Sequence, residues 1–221
     1  MDKSVILEAF QFRHACKRFD PEKKISDEDF TFILETGRLS PSSFGFEPWK
    51  FVVLQNPEIR ERLMQISWGA QGQLPTASHY VIVLARQAAD LKAESDYIQS
   101  IMKDVQQLPP GTMQNKTKTF HHFLATDFEL LGNDRAMFEW ACRQAYIAIG
   151  NMMTAAALIG IDSCPIEGFN KRQVEALLKE TGILQDESFG VACMLAFGYR
   201  AADPTRPKTR RKAEEVITWI R

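Results

Sequence analysis

Four short stretches of this 221-residue chain gather residue types that do chemistry. Arg13-His14-Ala15-Cys16-Lys17-Arg18 sets three cations and a histidine within six residues, and Arg206-Pro207-Lys208-Thr209-Arg210-Arg211-Lys212 sets five cations within seven. Each has an ordinary explanation: dipole-complementing charge in a last helical turn for the first, and a solvated or nucleic-acid-binding tail for the second. Together they suit an anion, because Arg and Lys give an anionic oxygen charge-assisted hydrogen bonds of roughly 1.5–3 kcal/mol each. The chain as a whole carries 27 Lys plus Arg against 28 Asp plus Glu, a net charge of −1. Bulk electrostatics therefore favour neither nucleic acid nor an acidic membrane, and one bound phosphate ester is a compact counter-charge for two basic clusters.

The other two stretches are backbone-rich. Ser40-Pro41-Ser42-Ser43-Phe44-Gly45-Phe46-Glu47-Pro48-Trp49 places small hydroxyls and a glycine between prolines. Such a loop lets N–H and hydroxyl groups approach a ligand, although an ordinary turn has the same composition. Cys164-Pro165-Ile166-Glu167-Gly168-Phe169 has two readings. Cys164 is either a nucleophile served by a distant histidine among His14, His79, His121 and His122, or a bystander beside a rigid backbone whose N–H groups face a planar cofactor ring. Neither a Walker loop nor a GxGxxG fingerprint occurs. The cysteines at 16, 142, 164 and 193 form no CxxC, so no metal site is expected, and their apolar neighbours suit free thiols in a reducing compartment. With no signal-peptide pattern at the N-terminus, the expected location is the cytoplasm.

The elements that must position these stretches follow from periodicity. Helical spacing runs over 4–12, and a capping box at Ser26-Asp27-Glu28-Asp29 opens a helix that runs to Gly37. Asn56-Pro57 opens another helix through Met64, and Lys171 to Thr181 reads as one more. Residues 49–54, 79–84 and 190–199 read as strands, and 162–165 as a short strand or extended turn. The segment 88–102 has helical composition, while 114–131 shows aromatics among polar residues without a clear period. Gln144 to Ile161 has no formal charge over 18 residues. Gln144, Asn151 and Thr154 interrupt it, so it reads as the end of a long helix from Asp134 entering a core or a subunit interface, and no membrane span is expected. Short apolar strands separated by helices imply one domain, residues 1–221, with a sheet covered on both faces.

Taken in order, RHxxKxFD near the start, SPSSxxxxPWxF at 40–51, the long helix into Gly150-Asn151, PIEGF at 165–169 and PKTR at 207–210 closely resemble the nitroreductase family of FMN-dependent NAD(P)H oxidoreductases. The match spans almost the whole chain, and the nearest branch is similar to the oxygen-insensitive nitroreductases and dihydropteridine reductases. The resemblance implies an α+β, three-layer α-β-α sandwich with a mixed central sheet. It also implies a homodimer with the long helix at its interface and FMN sites built from both subunits. By motif position Arg13, His14, Ala15 and Lys17 serve the flavin phosphate, ribityl chain and ring, and Lys208 and Arg210 complete the phosphate pocket. Pro41, Ser42, Ser43 and Gly45 come from the other subunit. Pro165, Ile166 and Gly168 line the ring, and the N–H of Glu167 faces flavin N5, through which hydride passes from NADH or NADPH to a nitroaromatic, quinone or similar acceptor by a ping-pong route. No side chain acts as a catalyst.

The chain departs from the family pattern at Ala15, where Ser is common, at Gly45-Phe46-Glu47, and at Ala70-Gln71-Gly72-Gln73, where relatives carry Asn and Lys. Gln71 or Gln73 is expected to bond the pyrimidine edge of the ring, with weaker stabilisation of the reduced flavin than a Lys gives. Phe120 or Phe123 is the expected substrate lid. Alternatives to the main reading are a specialised enzyme of the same fold (dehalogenation or ring fragmentation), a non-enzymatic flavin-binding regulator, or a basic-tailed nucleic-acid binder.

Overall fold

The computed structural model describes residues 2–221. Local sequence signals start most of its elements. Asp2 caps helix α1 (Lys3–Phe12), and the Ser26 hydroxyl accepts from the Asp29 N–H at 3.1 Å to cap α2 (Asp27–Arg38). Asn56 caps α3 (Pro57–Ile66), with Pro57 in the first turn where its missing N–H costs nothing, and the single-turn α4 (Gln73–Thr76) follows before the second strand. Asn133 caps the long α7 (Asp134–Leu158), and Asn170 caps α8 (Lys171–Glu180). Strands β1 (Trp49–Val53), β2 (His79–Arg86), β3 (Asp162–Ile166) and β4 (Phe189–Gly198) form one sheet in the order β1-β2-β4-β3.

Alternation along the central strands explains the layers. Tyr80, Ile82, Leu84, Met194 and Ala196 pack with Leu63, Val174 and Leu178 of α3 and α8. Val81, Val83, Cys193, Leu195 and Phe197 pack with Ile33, Ala145, Ile149 and Met152 of α2 and α7. Helices thus cover both faces, as the apolar strands require. The expected mixed sheet is corrected in one respect: all three ladders are antiparallel, and the parallel pairing is an isolated bridge between Ala15 and Ser163. Strands buried on both faces read as parallel ones in a sequence, whereas here helices on both sides bury an antiparallel sheet.

The region between β2 and α7 departs most from the sequence reading. Residues 88–102 are broken into a 3₁₀ turn (Ala88–Leu91), α5 (Asp96–Ser100) and a π-helical turn that continues to Val105. The stretch without a clear period forms α6 (Pro110–His122) and a second π-helical turn (Phe123–Asp127). Its apolar residues are few because it packs one edge, Phe120 and Leu124, against Phe46, Met102 and Trp140 in a separate aromatic core. No helix among the described residues is long and apolar enough to cross a membrane.

His79 opens β2 stacked on Phe30 with ring centroids 3.8 Å apart. Burial, reinforced by the charge of Arg60, lowers its pKa from the ordinary 6.5. The unfolded chain therefore takes up a proton before the folded one, so stability falls as pH drops from 6.5 through the lowered native value. The urea midpoint is expected to decline on going from about pH 7 to about pH 5, with part of that decline removed by His79→Gln. An identical pH profile in the variant would rule out this residue as a source.

Candidate functional site

Backbone pairing along the edge strand β3 builds the floor of the site. At the end of α1 the Arg13 N–H still donates to Ala9, but ψ of 132° turns the chain extended. Residues 15–16 then run beside β3, with the Cys16 N–H donating to the Ser163 carbonyl at 3.3 Å. At the far end of β4, the Arg200 guanidinium lies 2.7 Å from Asp162, donates to the Phe12 carbonyl at 3.1 Å and covers the Phe12 ring. Asp162 is the first residue of β3, so this single pair fixes β3, α1 and the start of the tail to one another. The tail then crosses back over α1, where Lys208 Nζ donates to the Phe10 carbonyl.

The product is a groove of about 1030 Å³ that brings together Arg13, His14, Ala15, Lys17, Lys208 and Arg210, from segments almost 200 residues apart in sequence. A pocket of about 440 Å³ continues it to Met153, Ser163 and Pro165. Arg13 reaches α7, donating to Thr154 Oγ1 at 3.3 Å. Among the described residues no carboxylate lies within 4.0 Å of Arg13, Lys17, Lys208 or Arg210. Burial first, then the charge of Arg210, lowers the pKa of Arg13; burial, Arg210 and Arg13 lower that of Lys208. The His14 Nδ1 atom is buried without a hydrogen-bond partner, 3.8 Å from Asp162. An uncompensated set of cations fits an anionic ligand of the phosphate-ester kind.

Other residues singled out in the sequence sit beside the groove. Lys17 Nζ and Gln73 Nε2 both approach Cys164 Sγ, at 3.9 Å and 3.4 Å. The Cys164 thiol is fully buried between them, which suits a packed side chain better than an accessible nucleophile. The Gln71 amide instead donates to the Met64 and Ser67 carbonyls. Ile166 is turned into the core, so only its backbone is available to a ligand. Gly69 and Gly168 lock the 67–72 and 165–168 loops together: the Gly69 N–H donates to the Gly168 carbonyl at 2.7 Å, and a Cβ on Gly168 would lie 2.7 Å from the Gly69 Cα. Glu167 faces a second groove of about 770 Å³, where it accepts from the Tyr146 hydroxyl.

Pro41, Ser42, Ser43 and Gly45 do not line the cationic groove of their own chain. They are fixed to α7 instead, the Ser43 N–H donating to Gln144 Oε1 at 2.8 Å and Asn151 Nδ2 to the Ser40 hydroxyl at 2.9 Å. Phe120 is fully buried among Phe44, Phe46 and Trp140, whereas Phe123 keeps a partly exposed edge. Sequence reasoning missed Asp162, Arg200, Tyr146 and Trp68. Trp68, 79% exposed, stands against Gly168 on the loop lock, and the adjacent Trp68-Gly69 pair was the only signal in the sequence.

Comparison with known proteins gives a consistent result. A family model described as the Nitroreductase family matches residues 11–199. YfkO of Bacillus subtilis (strain 168), a candidate NAD(P)H nitroreductase by name, is 56% identical over 218 residues, which is 99% of this chain and 98% of that protein. A solved nitroreductase-like protein from Streptococcus mutans superposes with a TM-score of 0.80 at 19% identity, covering 100% of both chains. A candidate nitroreductase from Exiguobacterium sibiricum, solved in complex with FMN, superposes with a TM-score of 0.74 at 21% identity, covering 100% of this chain and 98% of the other. The two structures share the fold.

The groove itself makes a prediction independent of any cofactor. Inorganic phosphate at millimolar concentration is expected to raise the thermal midpoint of the ligand-free protein by mass action, and Arg210→Ala is expected to abolish most of that rise. An equal rise in wild type and variant would place the anion elsewhere.

Proposed function

Because the chain belongs to the nitroreductase family, whose members are oxidoreductases, we propose that it is an FMN-dependent NAD(P)H oxidoreductase acting on nitroaromatic, quinone or similarly electron-poor acceptors. The observation that carries this reading is the groove in which Arg13, Lys208 and Arg210 converge without a neutralising carboxylate. When bound, the flavin supplies the two-electron hydride relay between NAD(P)H and the acceptor, the two occupying one place in turn, and the protein supplies orientation and electrostatics.

Each of the chain's residues then has a definite task. Arg13, Lys208 and Arg210 hold the phosphate, and the orphaned His14 nitrogen and Lys17 lie between that end and the loops that receive the ring. Pro165 gives the ring an apolar surface, and the 166–168 backbone, immobilised through Gly69, presents the Glu167 N–H to the hydride-carrying edge. Of the two glutamines, support falls on Gln73 for the pyrimidine edge, since it shares Cys164 with Lys17 while the Gln71 amide nitrogen is engaged by two carbonyls. Of the two lid candidates, support falls on Phe123.

The proposed assembly is a homodimer in which residues 41–45 of one subunit complete the site of the other. Its support is apolar surface that one chain leaves uncovered: Leu7 and Phe10 on α1, Ile147 on α7, and Trp219 and Ile220 (78% and 95% exposed) in a tail that is exposed throughout. One FMN-binding unit comprises the whole of residues 1–221.

Purified protein is expected to show a flavin absorbance band that bleaches on anaerobic addition of NADPH or NADH and returns when a nitroarene or quinone is added. A colourless protein that takes up no added FMN would contradict the reading. Arg210→Ala and Lys17→Ala should each weaken FMN binding by ten- to a hundredfold, on the order of one to two lost charge-assisted contacts. Ile147→Asp should yield monomers that bind FMN poorly; retention of full flavin occupancy by a monomer would argue against a site built from two subunits.

A further inference from the structure

The loop at 42–47 has an unusual backbone. Phe44 (φ 58°), Gly45 (φ 67°) and Glu47 (φ 48°) all lie in the left-handed region, and two of the three are not glycine. Residues of that kind persist only where the surroundings over-determine the conformation. Here the surroundings are side chains from α5, from Gln106 just after the first π-helical turn, and from α6. Gln106 Nε2 donates to the carbonyls of Phe44 and Gly45 at 3.1 and 2.8 Å. Lys116 Nζ donates to the Phe44 carbonyl at 2.8 Å and to Gln106 Oε1 at 2.6 Å. The Tyr97 hydroxyl reaches the carbonyls of Phe46 and Glu47 at 2.7 and 2.9 Å. Four consecutive carbonyl groups, 44 to 47, are thus held from one side by three side chains. Lys116 forms no ion pair with a carboxylate among the described residues, so its charge is directed at backbone oxygens.

We propose that Tyr97, Gln106 and Lys116 are positioning residues for the cofactor site: they hold 42–47 in its left-handed form so that Ser42, Ser43 and Gly45 are presented to the neighbouring subunit's flavin. The inference rests on the proposed FMN function and on the two-subunit site. It accounts for the α5–α6 excursion, which otherwise only packs an outlying aromatic core. It also ties the lid to the cofactor loop, because left-handed Phe44 packs on Phe120 and Phe123 at centroid distances of 4.9 and 5.2 Å. A lysine contributes what a neutral donor does not, since a charged donor makes the stronger bond to a carbonyl oxygen.

The test is FMN titration of the flavin-free full-length protein by flavin fluorescence, alongside its thermal midpoint. Lys116→Met is expected to weaken FMN binding about tenfold, the scale of one lost charge-assisted contact, while the midpoint of the flavin-free protein changes little. Lys116→Arg should restore affinity to within about threefold, a rescue that a purely steric role would not produce. If Lys116→Met does not fold, Tyr97→Phe carries the same comparison, with Glu47→Gly as background: the Tyr97 effect should shrink where glycine removes the left-handed strain. Wild-type affinity in Lys116→Met or Tyr97→Phe, or an undiminished Tyr97 effect beside Gly at position 47, would overturn the assignment while leaving the flavin reading intact. Failure of the wild-type protein to bind FMN would overturn both.

Discussion

The Asp162–Arg200 pair holds the site together, and what it holds together repels. Arg200 is bound to Asp162 through its side chain and through its backbone N–H at 3.0 Å, while the same guanidinium ties down the end of α1. Asp162 is almost fully buried, so removing either partner would leave an uncompensated charge, a loss of about 3–5 kcal/mol for buried pairs. Once β3, α1 and the tail are fixed, Arg13, Lys208 and Arg210 must face one another. Beyond the effect of burial, Arg210 disfavours the charged state of Arg13, and Arg210 and Arg13 together disfavour that of Lys208. A fold that concentrates like charge in this way is relieved by an anion, the role proposed here for the phosphate of FMN.

The long helix is the second constraint. Its apolar face buries against β2, β3 and the sheet centre, and its few polar residues are placed with purpose. Gln144 and Asn151 hold the 40–43 segment, and Thr154 holds Arg13. One helix therefore orients a basic residue of its own groove and a loop that does not enter that groove. Such a helix, with Ile147 exposed on its remaining face, suits the junction of two chains that exchange loops.

Much of this was legible in the sequence. Signals at Ser26 and Asn56 and the apolar, β-branched run at 79–84 located elements because those signals are local. The two basic clusters, which the fold brings into one groove, suggested an anion site because cations without nearby acids are informative even when their separation in space is unknown. Strand direction was not legible, since apolar runs carry no polarity and helices can bury either kind of sheet. The 110–127 helix was hidden by its outlying position, where only Phe120 and Leu124 are deeply buried. The Asp162–Arg200 pair escaped notice because each residue alone reads as an ordinary strand-end charge, and Gln71 was indistinguishable from Gln73 until their partners were known. The carbonyl clamp at 44–47 depends on φ angles that Phe44 and Glu47 give no sign of adopting.

On the reading proposed above, the cations of the groove are there for a phosphate monoester. Calorimetric titration of flavin-free protein with FMN and with riboflavin, which differ by that phosphate alone, measures it. FMN is expected to bind roughly a hundredfold more tightly than riboflavin, with an advantage that falls as salt rises. Equal affinities for the two flavins would contradict it.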